Sequence, residues 1–128
     1  MTAFSDYLEN ELLDGTLRNL AYTPVATVYV GLHTTAPLDN DTGTEVATGS
    51  YARTAVTFAA PVAGSTSNDA LVTFPTATAS WGIVTHFGIY DAAAAGNLLY
   101  WGPLTISKTV DNGDIFTYPI GNLTVSLD

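Results

Sequence analysis

The carboxylates and the two histidines are the residues of this sequence best suited to chemistry. Twelve Asp and Glu residues are present, and a glycosidase needs two of them facing each other across a sugar. Most of them lie in a predicted helix or in turns, where a solvated side chain is the ordinary role. A Ser-His-Asp site could use His33 or His86, but no serine lies in a Gly-x-Ser-x-Gly turn. A histidine on a strand is more often a hydrogen-bonded structural residue, so we assign no catalytic residue and expect no enzyme.

One acidic loop invites comparison with a metal site. The stretch DNDTGTE carries Asp39, Asp41 and Glu45, and hard cations such as Ca²⁺ prefer clustered oxygen ligands. Because the spacing does not fit the twelve-residue calcium loop, a solvated acidic loop is the better interpretation. The chain has no cysteine, which excludes disulfides, thiolate metal sites and cysteine nucleophiles. We therefore predict no metal and no cofactor.

Aromatic residues are concentrated between positions 81 and 101. They are Trp81, Phe87, Tyr90, Tyr100 and Trp101. In the stretch WGIVTHFGIY, a strand with a period of two places Trp81, Ile83, Phe87 and Ile89 on a core face and Val84, His86, Gly88 and Tyr90 on an outer face. Outward rings beside glycines could stack on sugars, or could form the centre of a subunit interface, where Tyr and Trp are enriched. We favour the interface.

An N-terminal helix is predicted over residues 5–14. Ser5 is a suitable N-cap, and Gly15 is a natural end. Leu8, Leu12 and Leu13 form a narrow apolar stripe. A single helix of this length is marginal in water, so we expect the stripe to pack on the domain or on a partner.

After Pro24 the apolar residues recur with a period of two. Strands are predicted over 27–34, 51–61, 70–75, 80–91 and 98–110, the last as one strand or as two broken at Gly102-Pro103, and in the closing segments 115–121 and 122–128. Residues 80–91 are the longest candidate. Asn112-Gly113 predicts a type I′ hairpin joining strands near 105–110 and 115–120. Seven or eight short strands indicate an all-β fold, an antiparallel, jelly-roll-like β-sandwich with a short N-terminal α-helix. We divide the chain into a helix and arm, 1–23, and a sandwich domain, 24–128.

The charge balance argues against two classes of partner. Three basic residues face twelve acidic ones, which gives a net charge of −9, and binding to phosphate backbones requires Lys and Arg. We therefore expect no nucleic acid and no membrane among the partners. Only 12% of the residues are charged, about half the ordinary share, which is typical of chains that bury part of their surface in an assembly.

Several stretches resemble a family of small structural proteins of tailed bacteriophages, commonly labelled tail-fibre proteins. They are FSDYLEN, TVYVGLHTTAP, GSYARTAVTFAAP, VTFPTATASWGIVTHFGIYDAA, GNLLYWGPLTISKTVDNGD and GNLTVSLD. Together they cover nearly the whole chain in order. The resemblance implies a non-enzymatic virion component, made in the host bacterial cytoplasm, that associates with copies of itself, most often as a trimer, and with capsid, neck or tail proteins. A tail-fibre or spike-like role and a head-decoration, cement or collar role both suit a compact acidic sandwich whose helix is the attachment element.

Our interface candidates combine the helix stripe with the outward rings. They are Leu8, Leu12, Leu13, His86, Tyr90, Tyr100 and Trp101. The alternative function is a carbohydrate-binding module that recognises a host surface glycan, and a hydrolase ranks last. Rings exposed to water in a concave patch would favour the alternative, whereas the same rings buried between chains would favour the structural role.

Overall fold

A computed structural model describes residues 2–127, which form one helix and nine strands. The helix α1 spans Asp6–Leu17. The strands are β1 (Ala3–Phe4), β2 (Val28–His33), β3 (Thr54–Val56), β4 (Ser65–Ser67), β5 (Val72–Thr73), β6 (Gly82–Tyr90), β7 (Leu98–Val110), β8 (Thr117–Tyr118) and β9 (Thr124–Ser126). A five-stranded antiparallel sheet has the order β1-β7-β6-β2-β3, and β4-β9 and β5-β8 form two small antiparallel sheets. The prediction of an all-β sandwich with one N-terminal helix is confirmed.

The core joins the five-stranded sheet to the two small sheets. Alternate residues of β2 and β6, Val30 with Leu32 and Phe87 with Ile89, belong to one buried cluster with side chains from β5, β8 and β9. Such alternation is what a strand with one buried face requires. Most of this face followed from the period-two pattern, which predicted Val30, Leu32, Phe87 and Ile89 to share core faces.

Thr2 and Ser126, near the two ends of the described residues, are joined by two hydrogen bonds. The Thr2 hydroxyl donates to the carbonyl of Ser126 at 2.8 Å and accepts from its backbone N–H, also at 2.8 Å. Next to this tie, Ala3 and Phe4 pair with Trp101 and Tyr100. The segment before α1 is thus held by both the last strand and the longest one.

Ser5 fixes the start of α1, as predicted. Its hydroxyl oxygen accepts the N–H of Leu8 at 3.1 Å, and its hydroxyl proton is donated to the carbonyl of Leu98. Ser5 is fully buried, and Leu8 is 3% exposed. One side chain therefore both caps the helix and joins it to β7.

The predicted end of α1 at Gly15 is wrong, because the helix continues to Leu17. A glycine inside a helix costs only about 1 kcal/mol relative to alanine, which a docked helix tolerates. The chain turns away at Asn19, whose φ of 57° is left-handed, a conformation that Asn accepts at a helix end. The N–H groups of Arg18 and Leu20 both donate to the carbonyl of Asp14.

A β-bulge changes the phase of β6. Thr85 alone opposes residues 104–107 of β7. On the N-terminal side of the bulge Val84 is buried and Ile83 is 56% exposed, the reverse of the predicted faces. An inserted bulge shifts which residues point inward, so uniform alternation across the strand was the wrong assumption.

The strand β7 continues unbroken through Gly102 and Pro103. Of the two alternatives for this stretch, the single strand is therefore correct. With 13 residues it is longer than β6, which has nine. Pro103 lies at the border of the bulge, one of the places where a strand accommodates proline.

Asn112-Gly113 forms a turn but not the predicted hairpin. The N–H of Asp114 donates to the carbonyl of Asp111 at 3.0 Å, and Gly113 has a φ of 92°. Asn112 is not among the described residues with positive φ, so the turn is not type I′, which needs positive φ at both positions. The following strand β8 pairs with β5 rather than with β7, so this turn carries the chain from the large sheet to the facing layer.

Replacing Ser5 by Ala should lower the free energy of unfolding by about 1–2 kcal/mol, because the change removes a helix cap and the hydroxyl that bonds Leu98. Urea denaturation followed by circular dichroism measures the loss. Thr16→Ala is the matched control, since it deletes an exposed hydroxyl bonded within the same helix and should cost less than about 0.5 kcal/mol. Equal losses in the two variants would contradict the anchoring role of Ser5.

Candidate functional site

A facing pair of glycines makes room for the most concentrated polar arrangement among residues 2–127. Gly31 of β2 lies opposite Gly88 of β6, on the sheet face away from Val30 and Leu32. A Cβ atom added at Gly88 would lie 2.9 Å from Cε2 of Tyr90, and one added at Gly31 would lie 3.3 Å from the same atom. Because neither residue has a side chain, the Tyr90 ring can lie against the backbone of both strands.

Arg53 covers the Tyr90 ring from the other side. The guanidinium carbon is 3.4 Å from the ring centroid, and the arginine side chain is 8% exposed. A cation–π contact shielded from water in this way contributes about 2 kcal/mol. Tyr90, which was expected to face outward, is 1% exposed, so the chain itself covers this ring.

Glu45 holds Arg53 in place through two parallel hydrogen bonds. Nε and Nη2 of Arg53 donate to Oε1 and Oε2 of Glu45, both at 2.8 Å. The remaining terminal nitrogen, Nη1, donates to the carbonyls of Ala92 at 3.1 Å and Ala95 at 2.7 Å. A bidentate pair of this kind is strong and directional. One guanidinium therefore joins the acidic loop, the 91–97 loop and the face of the sheet.

Burial and hydrogen bonding act in opposite directions on the ionisation of this pair. Burial alone would raise the pKa of Glu45, but hydrogen bonds from Arg53 and Tyr51 outweigh it and hold the pKa below its ordinary value of 4.5. For Arg53, burial would lower the pKa, but the contact with Glu45 raises it above the ordinary value. Both groups therefore carry their charges at neutral pH.

Tyr90 also connects Asp41 with His33. Its hydroxyl donates to Oδ1 of Asp41 at 2.8 Å and lies 3.0 Å from Nε2 of His33. Because the phenol has one proton and gives it to Asp41, Nε2 of His33 is the donor in the second bond. Burial lowers the pKa of His33, which keeps the ring neutral. His33 is therefore a hydrogen-bonded structural residue, the ordinary role of a histidine on a strand.

The acidic loop is exposed at Asp39 and Asp41, as expected, but its carboxylates also accept hydrogen bonds from the rest of the chain. Asp39 accepts the indole N–H of Trp101 at 2.9 Å, its carbonyl accepts the N–H of Asp6 at 2.9 Å, and Asp41 and Glu45 accept the bonds described above. The loop thus bridges the helix and the sheet. Among residues 2–127, no three His, Asp or Glu side chains are grouped so as to hold a metal ion.

Sequence reasoning missed Arg53 as the centre of this arrangement. The available signal was its rarity, since the chain has three basic residues for twelve acidic ones. In such a chain an arginine inside a predicted strand has many possible carboxylate partners. Its position over Tyr90, however, depends on two glycines that are distant in sequence.

The remaining predicted site residues occupy different environments. On α1, Leu8 is buried, whereas Leu12 is 36% and Leu13 54% exposed. On the outer face of the sheet, the partly exposed rings of His86 and Trp101 lie together, with centroids 6.0 Å apart. Tyr100 is half-buried at the edge of the core and packs against Phe4 at 5.5 Å. The structure thus brings His86 and Trp101 together and places Tyr100 against the core.

The comparison with protein families settles what kind of chain carries this arrangement. A family model described as podophage GP4 fiber I protein gp80 matches residues 3–126. The chain belongs to this podophage fibre family. No curated protein matches it. The resemblance to tail-fibre-type proteins of tailed phages is confirmed, and the chain is a structural fibre protein and a virion component.

In this podophage fibre protein, the Arg53 network fixes loops rather than exposing reactive groups. Both oxygens of Glu45 accept hydrogen bonds, and the Tyr90 hydroxyl is engaged twice. Within residues 2–127, no helix is both long enough and apolar enough to cross a membrane.

Replacing Gly88 by Ala should destabilise this fibre protein by about 1–3 kcal/mol, because the new methyl group would overlap the Tyr90 ring and Leu98. Gly15→Ala is the matched control. Its Cβ would meet only the carbonyl of Leu20, at 3.5 Å, and the helix should gain about 0.5–1 kcal/mol. Urea midpoints measure both changes, and a neutral Gly88→Ala would show that the ring does not need the space.

Replacing Glu45 by Gln should cost about 3 kcal/mol at pH 7, because Arg53 would remain buried without its charged partner. The folded pKa of Glu45 lies below 4.5, so its contribution is complete above that pH and is lost as the pH falls through the lowered value. The difference in unfolding free energy between wild type and variant should therefore be constant from pH 8 to 5 and shrink below pH 4.5.

Urea denaturation at a series of pH values tests this dependence. Glu9→Gln, at an exposed position on α1, is the control and should change stability by less than about 1 kcal/mol. A difference for Glu45→Gln that stayed constant down to pH 2 would mean that the ionised form of Glu45 is not what stabilises the fold.

Proposed function

We propose that this fibre protein acts without catalysis, as a homo-oligomeric virion part that docks on another virion protein through α1. The carrying observation is an apolar surface on the outer side of the helix. Leu13 is 54% and Leu17 76% exposed, and they lie one turn apart. Large apolar surfaces on a soluble chain mark interaction sites.

The geometry of α1 explains why its own domain leaves these side chains exposed. At about 100° per residue, Leu13 and Leu17 lie about 140° and 180° around the axis from Leu8. Leu8 is buried against the body, so the two exposed leucines point away from it. A second surface is needed to bury them, and a neighbouring virion protein of the capsid, neck or tail is the occupant that we propose.

Because Leu8 is buried, the attachment role of α1 must be tested at other residues of the helix. Leu8 was an interface candidate in a stripe expected to pack on the domain or on a partner. It is 3% exposed and packs on the domain, so a charge there would disrupt the packing of the helix. Leu13 and Leu17 can be altered without disturbing the packing of the domain. In this proposal residues 1–23 remain the attachment element and 24–128 the sandwich that they carry.

Carbohydrate recognition, the alternative, has less support. Of the rings expected to face outward, Tyr90 lies under Arg53 and Tyr100 packs at the core edge. Trp101 and His86 remain partly exposed on the sheet, and the indole N–H already donates to Asp39. A sugar platform needs an open ring face, and this surface offers less of one than the sequence suggested.

Replacing both Leu13 and Leu17 by Asp should reduce incorporation into phage particles at least tenfold while leaving the urea midpoint of the purified chain unchanged. Quantitative immunoblotting of purified particles measures the copy number. The control variant, Val62→Asp with Leu71→Asp, changes two apolar residues that are 76% and 60% exposed on the sandwich and should enter particles normally. Normal copy number of the helix variant would contradict docking through α1.

A further inference from the structure

The longest strand keeps an open edge. On the side of β7 away from β6, the two residues of β1 pair only with Tyr100 and Trp101. Within residues 103–109, β6 pairs with Pro103, Lys108 and Thr109, while residues 104–107 form the bulge opposite Thr85, and residues 105–109 are exposed. An unpaired edge presents a row of backbone donors and acceptors that can receive another strand.

A groove runs along this edge. It has a volume of about 350 Å³ and is lined by Ile106 and Lys108 of β7 on one side and by Asn122 and Thr124 on the other. A second hollow, lined by Thr109, Asp114 and Ile115, continues it and shares Lys108 and Asn122. Ile106 is 67% exposed, so an extended chain in the groove would cover an apolar side chain as well as the strand edge.

The segment between α1 and β2 has the properties of a strand that lacks a partner. Residues 19–27 form an arm with no pairing in the described chain, and all but Tyr22 are exposed. Leu20 is 47% and Val25 41% exposed. An arm that buries so little of its own surface offers extended backbone and apolar side chains to another molecule.

We propose that the arm of one copy of this chain adds as an antiparallel strand to residues 103–109 of β7 in a second copy. This inference rests on the self-association in the proposed function. The direction follows from β1, which is antiparallel to β7 on the same edge. Strand addition of this kind draws its affinity from backbone hydrogen bonds.

Charge favours a second copy in this orientation. Each copy has a net charge of −9, so two copies repel each other least through surfaces that carry no carboxylate. Residues 15–38 and 92–110 contain none. An antiparallel arm places its first residues at the Val110 end of β7, which brings Arg18, paired with Asp14 at 2.7 Å, toward Asp111 and Asp114. A guanidinium shared between Asp14 and these two carboxylates lowers their repulsion at the acidic end of the groove.

The arm also meets the backbone requirement of a sheet edge. Neighbouring residues of a strand direct their N–H groups to opposite sides, so Pro24, which has none, can face away from β7. The contact joins two different surfaces, arm and edge. Repeated around a rotation axis, such a contact closes a ring, which is compatible with the trimer that the resemblance implies.

Introduced cysteines test this contact directly, because the chain has none of its own. Thr23→Cys is combined in turn with Thr105→Cys, Ser107→Cys and Thr109→Cys, which covers the possible registers. A disulfide requires Cα atoms within about 7 Å, so we expect at least one pair to give covalent multimers on a non-reducing gel. Thr23→Cys with Thr73→Cys, at an exposed position on β5, is the control and should give none.

Light scattering of the wild-type chain separates the two ways in which the inference can fail. Oligomers without a cross-link in any of the three pairs would overturn the arm contact and leave self-association standing. A monodisperse monomer at high concentration would overturn self-association and the arm contact together. Docking on another virion protein is measured independently by the incorporation of the Leu13 and Leu17 variant.

Discussion

The contact of Arg53 with the Tyr90 ring is the interaction on which the outer half of the structure depends. It needs four conditions at once: two glycines beneath the ring, a guanidinium above it, and Glu45 to fix that guanidinium. Together these conditions bury a cation and a phenol. A buried polar group that lost its partner would lower the stability of the fold. The network is therefore stable only when it is complete.

The loops derive their shape from this contact. Arg53 reaches the carbonyls of the 91–97 loop, Glu45 and Asp41 bring in the acidic loop, and the carbonyl of Asp39 meets the start of α1 at Asp6. Long polar connections are ordinarily the mobile parts of a sandwich. Here they are joined to one ring, so the surface that they form can present a fixed shape to the rest of a virion.

The sequence predicted the parts of the structure that depend on local chemistry. Ser5 as a cap and the alternating core residues of β2 are local effects, and both were correct. The end of α1 was wrong because Gly15 weakens a helix interior only slightly, and the chain leaves the helix at Asn19, which has a left-handed φ of 57°. The phase of β6 was wrong because uniform alternation does not include the bulge at Thr85, which appears only in the pairing of β6 with β7, and the Asn112-Gly113 hairpin was wrong because β8 pairs with β5.

The candidate site was harder to predict for the same reason. Leu8, Leu12 and Leu13 were grouped as one stripe, but only the docked helix shows that Leu8 points into the body and Leu13 away from it. Tyr90 was correctly placed on the outer face, yet nothing near it in sequence indicates that Arg53 covers it. Arg53 lies 37 positions from Tyr90 in the sequence, so the alternation of residues around Tyr90 gives no information about this contact.

The bond between Thr2 and Ser126 has a consequence for the order in which the chain folds. The ribosome adds Ser126 long after Thr2, because 124 positions separate the two residues in the sequence. Closing so long a loop is entropically slow, and folds dominated by distant pairings form slowly. In the nascent chain, β1 and the start of α1 can be held by β7 once that strand is made, whereas a copy arrested before Ser126 would lack the bond at Thr2.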